Sequence, residues 1–321
     1  MNSRGVVLFV TIWILAILIA FALGMGFRMS IDTRLTDYNV RLLKLLYLTK
    51  GAVARLGVEL AKDESADCDS LNESWSNSEE FFKDVAFGNE SFTINYIRKT
   101  ENSEKIFYGA MDEQSRININ RAPKEILLNL PSVTDEISDS ILDWRDEDDI
   151  PHADGAESAY YLSLDFPYSC KNGPLQTAEE LLLVKGVTPE IFNNIKDLIT
   201  VYGDGKVNLN TADSRVMQAL GLSEIVIQKI LKYRAGDDGE EGTDDDNAFN
   251  NIANLTEALD LSAAEASEIG NLNSVFLLGS ASSNFRVCVT AKTKNGKILK
   301  RTDAILFRSD KNNEIKSWYE Y

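Results

Sequence analysis

Acidic side chains crowd into two short stretches of this sequence. Hard oxygen donors at such density either stand in water or share a cation, because unshielded neighbouring carboxylates repel. Residues 143–157, DWRDEDDIPHADGAE, hold Asp143, Asp146, Glu147, Asp148, Asp149, Asp154 and Glu157. Residues 236–246, GDDGEEGTDDD, hold seven acids in eleven positions. Ca2+ takes about six to eight oxygen ligands. Asp146, Asp148, Asp154 and Glu157 fall at relative positions 1, 3, 9 and 12, as in an EF-hand loop. Ile150 and Pro151 stand at positions 5 and 6, where that loop needs a ligand and a Gly, so this is not an EF-hand. Asp143, Asp146, Asp148, Asp154 and Glu157 are therefore candidate ligands of a Ca2+ site of another design. Trp144, Pro151 and the pair Tyr160-Tyr161 suggest an ordered loop, and a solvated acidic loop is the alternative. The Gly/Asp run of the second stretch reads more readily as a mobile segment, with Ca2+ as its alternative.

Other reactive chemistry is sparse. His152 is the single His, and the three Cys form neither a C-x-x-C zinc pattern nor a disulfide framework. No nucleophile elbow, Gly-rich phosphate loop or His/Glu zinc pattern is present, so the sequence does not read as an enzyme. A formal charge of −17, from 33 Lys+Arg against 50 Asp+Glu, argues against a general nucleic-acid binder, which needs cations to displace phosphate counterions. Cys68 and Cys170 fall in loops and could pair in an oxidising compartment; Cys288 falls in an apolar strand as a small buried hydrophobe.

The elements that must position these groups begin with Val6–Phe27, VVLFVTIWILAILIAFALGMGF, which has no ionisable side chain and is long enough to cross a bilayer as a helix. Leu35, Leu42, Leu45, Leu46, Leu48, Ala52, Val53, Leu56 and Leu60 continue the helical spacing, and no Pro interrupts residues 6 to 62. Residues 63–80 are polar and turn-rich. Strands are expected at Ser91–Ile97 and Lys105–Gly109, with Thr100–Ser103 as their turn. Two more are expected at Phe285–Ala291 and Ile298–Phe307, joined around Asn295-Gly296. Residues 112–272 read as almost wholly helical, so the simplest arrangement is an antiparallel sheet split by a helical insertion.

The insertion repeats itself. Ile117-Asn118-Ile119-Asn120-Arg121-Ala122 recurs as Val207-Asn208-Leu209-Asn210-Thr211-Ala212, and both copies continue alike through Trp144-Arg145 and Tyr233-Arg234. A third, partial copy spans 177–199. Each unit reads as a short helix, a tight hairpin and a second helix, with the N-x-N segments capping the first helix. The unit resembles the helix-hairpin-helix, a DNA-binding module whose Gly-rich hairpin approaches phosphate. Here acids follow the first and last hairpins (Asp135-Glu136 and Glu224), and only Lys185-Gly186-Val187 suits an anion. Scaffold use is the better reading, and a membrane-anchored DNA receptor of the competence type is the alternative.

The short polar leader MNSRG ends in Gly5 directly before the apolar run. It resembles a prepilin leader, which implies cleavage between Gly5 and Val6 and N-methylation of Val6. Together with the N-x-N repeats and the block at 141–190, ILDWRDEDDIPHADGAESAYYLSLDFPYSCKNGPLQTAEELLLVKGVTPE, the chain resembles the minor pseudopilin K family of type II secretion systems, the general secretion pathway protein K family. The resemblance implies an α+β fold in which a long N-terminal transmembrane pilin helix packs on a small antiparallel sheet, with a large all-α insertion of helix-hairpin-helix-like repeats. The parts would be a leader at 1–5, a helix at 6–62 with 6–27 in the membrane, a pilin-like α/β domain at 63–111 and 273–321, and an inserted domain at 112–272.

The family further implies Ca2+ binding and a non-enzymatic place at the pseudopilus tip, initiating or capping its assembly. The implied partners are minor pseudopilins of the I and J types, prepilin peptidase, the inner-membrane secretion platform and membrane lipid, with no nucleic acid. Ordinary pilins carry a Glu five residues into the mature chain; counted from Val6 that place is Val10, which suits a subunit with nothing stacked above it. Arg28, Arg34, Arg41 and Lys44 after the span outweigh Arg4 before it, which by charge alone would keep the C-terminal side in the cytoplasm. The family resemblance implies the reverse: a single-pass bacterial inner-membrane protein with its C-terminal domain in the periplasm.

Overall fold

The computed structural model describes residues 3–62, 67–99, 104–274, 277–309 and 313–321, with side chains from Val6 onward. It opens with helix α1, Ser3–Ala61. The chain divides into two units, Met1–Gly51 and Ala52–Tyr321. In the first, the apolar residues from Val6 to Phe27 are exposed, and the helix is long and apolar enough to cross a membrane. No side chain in that run carries a charge to anchor in water, and every face is oily.

The second unit takes the last turns of α1, where Ala52, Val53, Leu56 and Leu60 are buried at helical spacing. A short helix α2, Glu79–Phe82, follows. Strands β1 (Val85–Phe87) and β2 (Glu90–Ile94) come next, then β3 (Tyr96–Lys99), β4 (Glu104–Phe107) and β5 (Met111–Asp112). The apolar run expected as one strand, Ser91–Ile97, is broken at Asn95. Its first part joins the main sheet and its second pairs only with β4 as a separate hairpin. The turn expected at Thr100–Ser103 lies outside the described residues, as do 63–66 of the loop after α1.

From here the chain runs through β6 (Ile117–Asn118), α3 (Lys124–Leu128), α4 (Asp135–Arg145), α5 (Ser158–Leu162), a 3-10 helix at Ala178–Leu183, α6 (Pro189–Ile195) and β7 (Ile199–Thr200). It then repeats the plan with β8 (Val207–Asn208), α7 (Ser214–Ala219), α8 (Glu224–Arg234), a 3-10 turn at Ile252–Asn254, α9 (Leu255–Ala258), α10 (Ala263–Ser274) and β9 (Leu278–Gly279). Each half closes on itself through a short parallel pair, β6 with β7 and β8 with β9. The region is thus not almost wholly helical. The stretch 177–199, with its 3-10 helix, its turn at Gly186 and α6, forms the second part of the first half, and residues 252–274 are its counterpart. One apolar core, from Ile117 to Leu278, runs through both halves.

The chain ends in the long strands β10 (Asn284–Thr293) and β11 (Ile298–Phe307) and the edge strand β12 (Glu314–Glu320). The turn between β10 and β11 contains Gly296 at φ +79°, as the Asn-Gly signal required. The sheet is antiparallel, in the order β1-β2-β10-β11-β12, and β5 also pairs with β10. Strand β10 therefore binds partners that precede the helical halves in sequence, so the sheet is assembled across them. Strands β1 and β12 carry no clean alternation, which is why the sequence did not announce them.

Candidate metal centre

The two halves share a framework, and it explains the N-x-N segments. Asn118 and Asn208 do not cap helices. Each accepts a hydrogen bond from the backbone N–H two residues on, at 2.9 and 3.0 Å, which bends the chain out of its strand. The caps are other residues: Asp213 accepts from Val216 N–H ahead of α7, and α3 starts at Pro123 with no side-chain cap. Asn120 and Asn210 each clamp a distant backbone residue with both ends of the amide. Asn120 holds Leu175 at 2.7 and 2.9 Å, and Asn210 holds Phe249 at 2.7 and 3.1 Å. The arginines that end α4 and α8 complete the pattern: Arg145 donates to the carbonyls of Ile119 and Ala122, and Arg234 to those of Leu209 and Ala212. Both acidic stretches therefore occupy the same place in their half, leaving from the Arg and re-entering at the clamped residue.

In the first half the loop leaves from Asp143, fully buried on α4. Asp143 Oδ1 accepts from His152 N–H at 3.0 Å and lies against the ring Nδ1 of the same His. Gly155 is obligatory here, because a Cβ on it would lie 1.9 Å from Asp143 Oδ2. Asp148 accepts from Ile150 N–H at 2.8 Å, and Asp149 from Ser158 N–H at 3.2 Å. Asn172 donates to the Asp148 carbonyl at 2.7 Å. Trp144 packs edge-on against Tyr161, ring centres 5.1 Å apart, as the floor of the loop.

Two sets of ligand atoms converge within 4.8 Å of one another: Asp146, Asp148 and Glu157, and Asp143, Asp146 and His152. Of the five candidates, Asp143, Asp146, Asp148 and Glu157 are brought together. Asp154 joins neither set; its side chain is exposed, and its backbone serves Asp139 and Lys185 instead. His152, absent from the expected ligands, is the unforeseen member. Its place nine residues after Asp143 became meaningful only once the loop folded back on α4.

Glu157 is 4% exposed, and neither of its carboxylate oxygens accepts a hydrogen bond; Asp146 Oδ1 and Asn172 Oδ1 are buried and unpartnered as well. Burial, opposed by the Cys170 thiol alongside and helped by the charges of Asp143, Asp146 and Asp149, pushes the Glu157 carboxyl up to about 7. Burial and the charges of Asp148 and Asp143 raise Asp146 too. His152 is raised by its bond to Asp143. Buried oxygens left without donors are a costly arrangement. A hard cation would satisfy them, so the donor set fits Ca2+ held by Asp146, Asp148 and Glu157.

The second acidic stretch is built differently. Glu241 turns inward between two arginines, 2.9 Å from Arg98 Nε and in contact with Arg234 Nη2. Burial would raise its carboxyl, but Arg234 and Arg98 hold it below the usual range. Asp245 accepts from the N–H groups of Asp237 and Asp238, and Asp246 from Gly242 N–H. Lys105 and Asn77 fasten the loop to the β3–β4 hairpin and the segment before α2. This stretch is pinned by counter-charges rather than mobile. No metal-ligand group of three forms there among the described residues.

The cysteines also differ from expectation. Cys170 lies by Asp143 and Cys68 by Phe249 and Asn210, so the two sit against different segments and do not pair. Cys288 is in β10 but only half-buried.

Residues 115–204 match a family described as type II secretion system protein K. The type II secretion system protein K of Aeromonas hydrophila is 23% identical over 241 residues, covering 71% of this chain and 72% of that protein. That of Klebsiella pneumoniae is 23% identical over 255 residues, covering 73% and 76%. A crystal structure of the GspK-GspI-GspJ complex from the enterotoxigenic Escherichia coli type 2 secretion system superposes with a TM-score of 0.64. It is 16% identical and covers 89% of this chain and 97% of that chain. The match through the first helical half, the relatives aligned over most of their length and the shared fold all point the same way: the chain is similar to protein K of type II secretion systems.

Proposed function

We propose that the chain is a non-enzymatic minor pseudopilin that sits at the tip of a type II secretion pseudopilus and initiates or caps its assembly. The observation that carries this reading is the joint presence in one chain of the charge-free run Val6–Phe27 and the protein K fold. In this reading the run anchors the protein once in the bacterial inner membrane, and the unit from Ala52 onward stands in the periplasm. Prepilin peptidase removes residues 1–5 after Gly5, and Val6 is methylated. The fold neighbour's title names a complex with GspI and GspJ, which supports partners of the I and J types. Contacts with the secretion platform and membrane lipid follow from the anchor. The helical halves are helix-hairpin-helix-like units used as scaffold: their hairpins turn at Ser132, Gly186 and Gly221, all at positive φ, with Glu and Asp rather than Lys and Arg at two of the three rims. That rim chemistry and the secretion relatives leave the DNA-receptor alternative without support.

Ca2+ belongs to the same proposal. Bound by Asp146, Asp148 and Glu157, it would neutralise carboxylates that the fold otherwise forces together and fix the loop between α4 and α5. Intact-mass analysis of the membrane-extracted protein tests the pseudopilin reading. A mature chain starting at Val6 with one added methyl group is expected, and a chain still starting at Met1 overturns it. Co-purification with I- and J-type pseudopilins tests the partners.

A further inference from the structure

The helical halves meet the sheet at a second, separate pair of buried carboxylates. Asp69 is 0% and Asp112 3% exposed. Asp112, on β5, is saturated with donors: Gln114 N–H reaches Oδ1 at 2.7 Å, and Ser282 Oγ, Thr211 Oγ1 and Asn208 Nδ2 reach Oδ2 at 2.7, 2.5 and 3.0 Å. Asp69, in the segment after α1, accepts on Oδ2 from Ser282 N–H and Arg308 Nη2, both at 2.6 Å, while its Oδ1 is buried with no donor. Two residues tie these groups into one cluster. Ser282 serves both carboxylates, and Asn208 donates to Asp112 and to the Asp69 carbonyl at 3.0 Å. Every element of the junction contributes: the N-x-N turn of the second half, the strands on either side of it, and the tail of β11.

The charge count does not balance. The ionisable groups facing Asp69 from the packed elements are Asp112 and Arg308, which leaves two carboxylates against one guanidinium. On its own segment, the neighbouring Cys68 thiol turns to the Phe249 carbonyl. Glu113, next to Asp112, is spent on Arg286, Arg116 and Thr200 and takes no part. A buried excess negative charge is relieved most cheaply by a proton, and the donorless Oδ1 of Asp69 is the oxygen with room for it. We propose that this junction is a proton-operated latch, in which a proton on Asp69 holds the helical region on the sheet and its loss loosens that contact.

The electrostatics agree in sign. Burial pushes Asp69 up to about 7, with Arg308 opposing and Asp112 adding to the rise; burial raises Asp112 as well, opposed by its bonds from Ser282, Thr211, Gln114 and Asn208. An acid raised in the folded state contributes stability that is complete below its ordinary value of 3.8 and is lost as pH climbs toward about 7. Beyond that the profile is flat.

Amide hydrogen exchange of the full chain in detergent micelles, corrected for intrinsic rates, reads this at 206–212 and 280–284. Protection there is expected to fall by up to about tenfold for each step of one in pH between pH 5 and 7, where one proton is linked to opening, and to level off above pH 7.5. In Asp69→Asn the same amides are expected to lose the part of the slope due to Asp69, leaving a shallower profile from the raised Asp112. A flat wild-type profile, or an equal slope in Asp69→Asn, overturns the latch. Should Asp69→Asn fail to fold, Asp112→Asn serves instead: removing the neighbouring charge is expected to move the levelling-off to lower pH, and an unmoved profile overturns the proposal.

Discussion

Replacing Glu157 by Gln keeps the shape of the side chain and removes the charge that the loop between α4 and α5 has to bury. The Glu157 carboxyl lies at about 7 in the fold against an ordinary 4.5. Each tenfold change in proton affinity is worth about 1.4 kcal/mol, so ionising it inside the cation-free protein costs on the order of 3 kcal/mol. The sign follows from the raised value: the penalty is absent below pH 4.5, grows as pH rises toward 7 and is complete at pH 8. In chelator at pH 8, Glu157→Gln is therefore expected to be more stable than the wild type by up to about 3 kcal/mol, and at pH 4.5 to be equal to it. Calcium is expected to close that gap. At a hundredfold excess over its dissociation constant a native-state ligand adds about 2.7 kcal/mol, which for a protein of this size raises the melting temperature by roughly 4–5 °C. The wild type should gain that rise, and Glu157→Gln should lose most of it. Thermal melts of the full chain in micelles, with chelator and with millimolar Ca2+, read all four states. A wild type unmoved by Ca2+, or a variant no more stable than wild type in chelator at pH 8, refutes the reasoning.

Three further outcomes test the framework around the site. Gly155→Ala places a methyl group where Asp143 Oδ2 now lies, and it is expected to cost about 1–3 kcal/mol and to abolish the Ca2+-dependent rise in melting temperature. Arg234→Met strips Leu209 and Ala212 of their donor and removes one of the two cations on Glu241. It should lose about 3–5 kcal/mol in denaturant titrations, whereas Arg145→Met, which feels the charge of Asp146 but forms no ion pair among the described residues, should lose less. His152 is raised by Asp143. It contributes stability that is present below its ordinary 6.5 and lost as pH rises through its folded value, so His152→Gln should destabilise at pH 6 and leave pH 9 stability almost unchanged, as paired melts at the two pH values would read.

Much of the protein was legible in its residues because the signals were local. A run without charges from Val6 to Phe27 is a helix in any context that hides it, and the alternation of β10 with the Asn-Gly turn that follows makes the β10–β11 hairpin. The repeat was visible as a string, and so was the acidic loop that holds Asp146, Asp148 and Glu157. Local reading failed where the deciding partner lay far off in sequence. Asn118 and Asn208 looked like helix caps, but their carboxamides turn back on their own strand ends and on Tyr202 and Asp69, more than eighty residues away. Ser91–Ile97 read as one strand because nothing local marks Asn95 as the point where the chain leaves one sheet for another.

The sequence by itself determined the membrane-length helix, the α+β class and the concentration of carboxylates, since each follows from side-chain chemistry within a few turns of chain. Tertiary structure alone decided which carboxylates meet, because whether an acid pairs, takes a proton or suits a cation depends on what the fold buries beside it. Glu241 found two arginines, Asp154 found water, Glu157 found no donor, and Asp69 was left to share one guanidinium with Asp112.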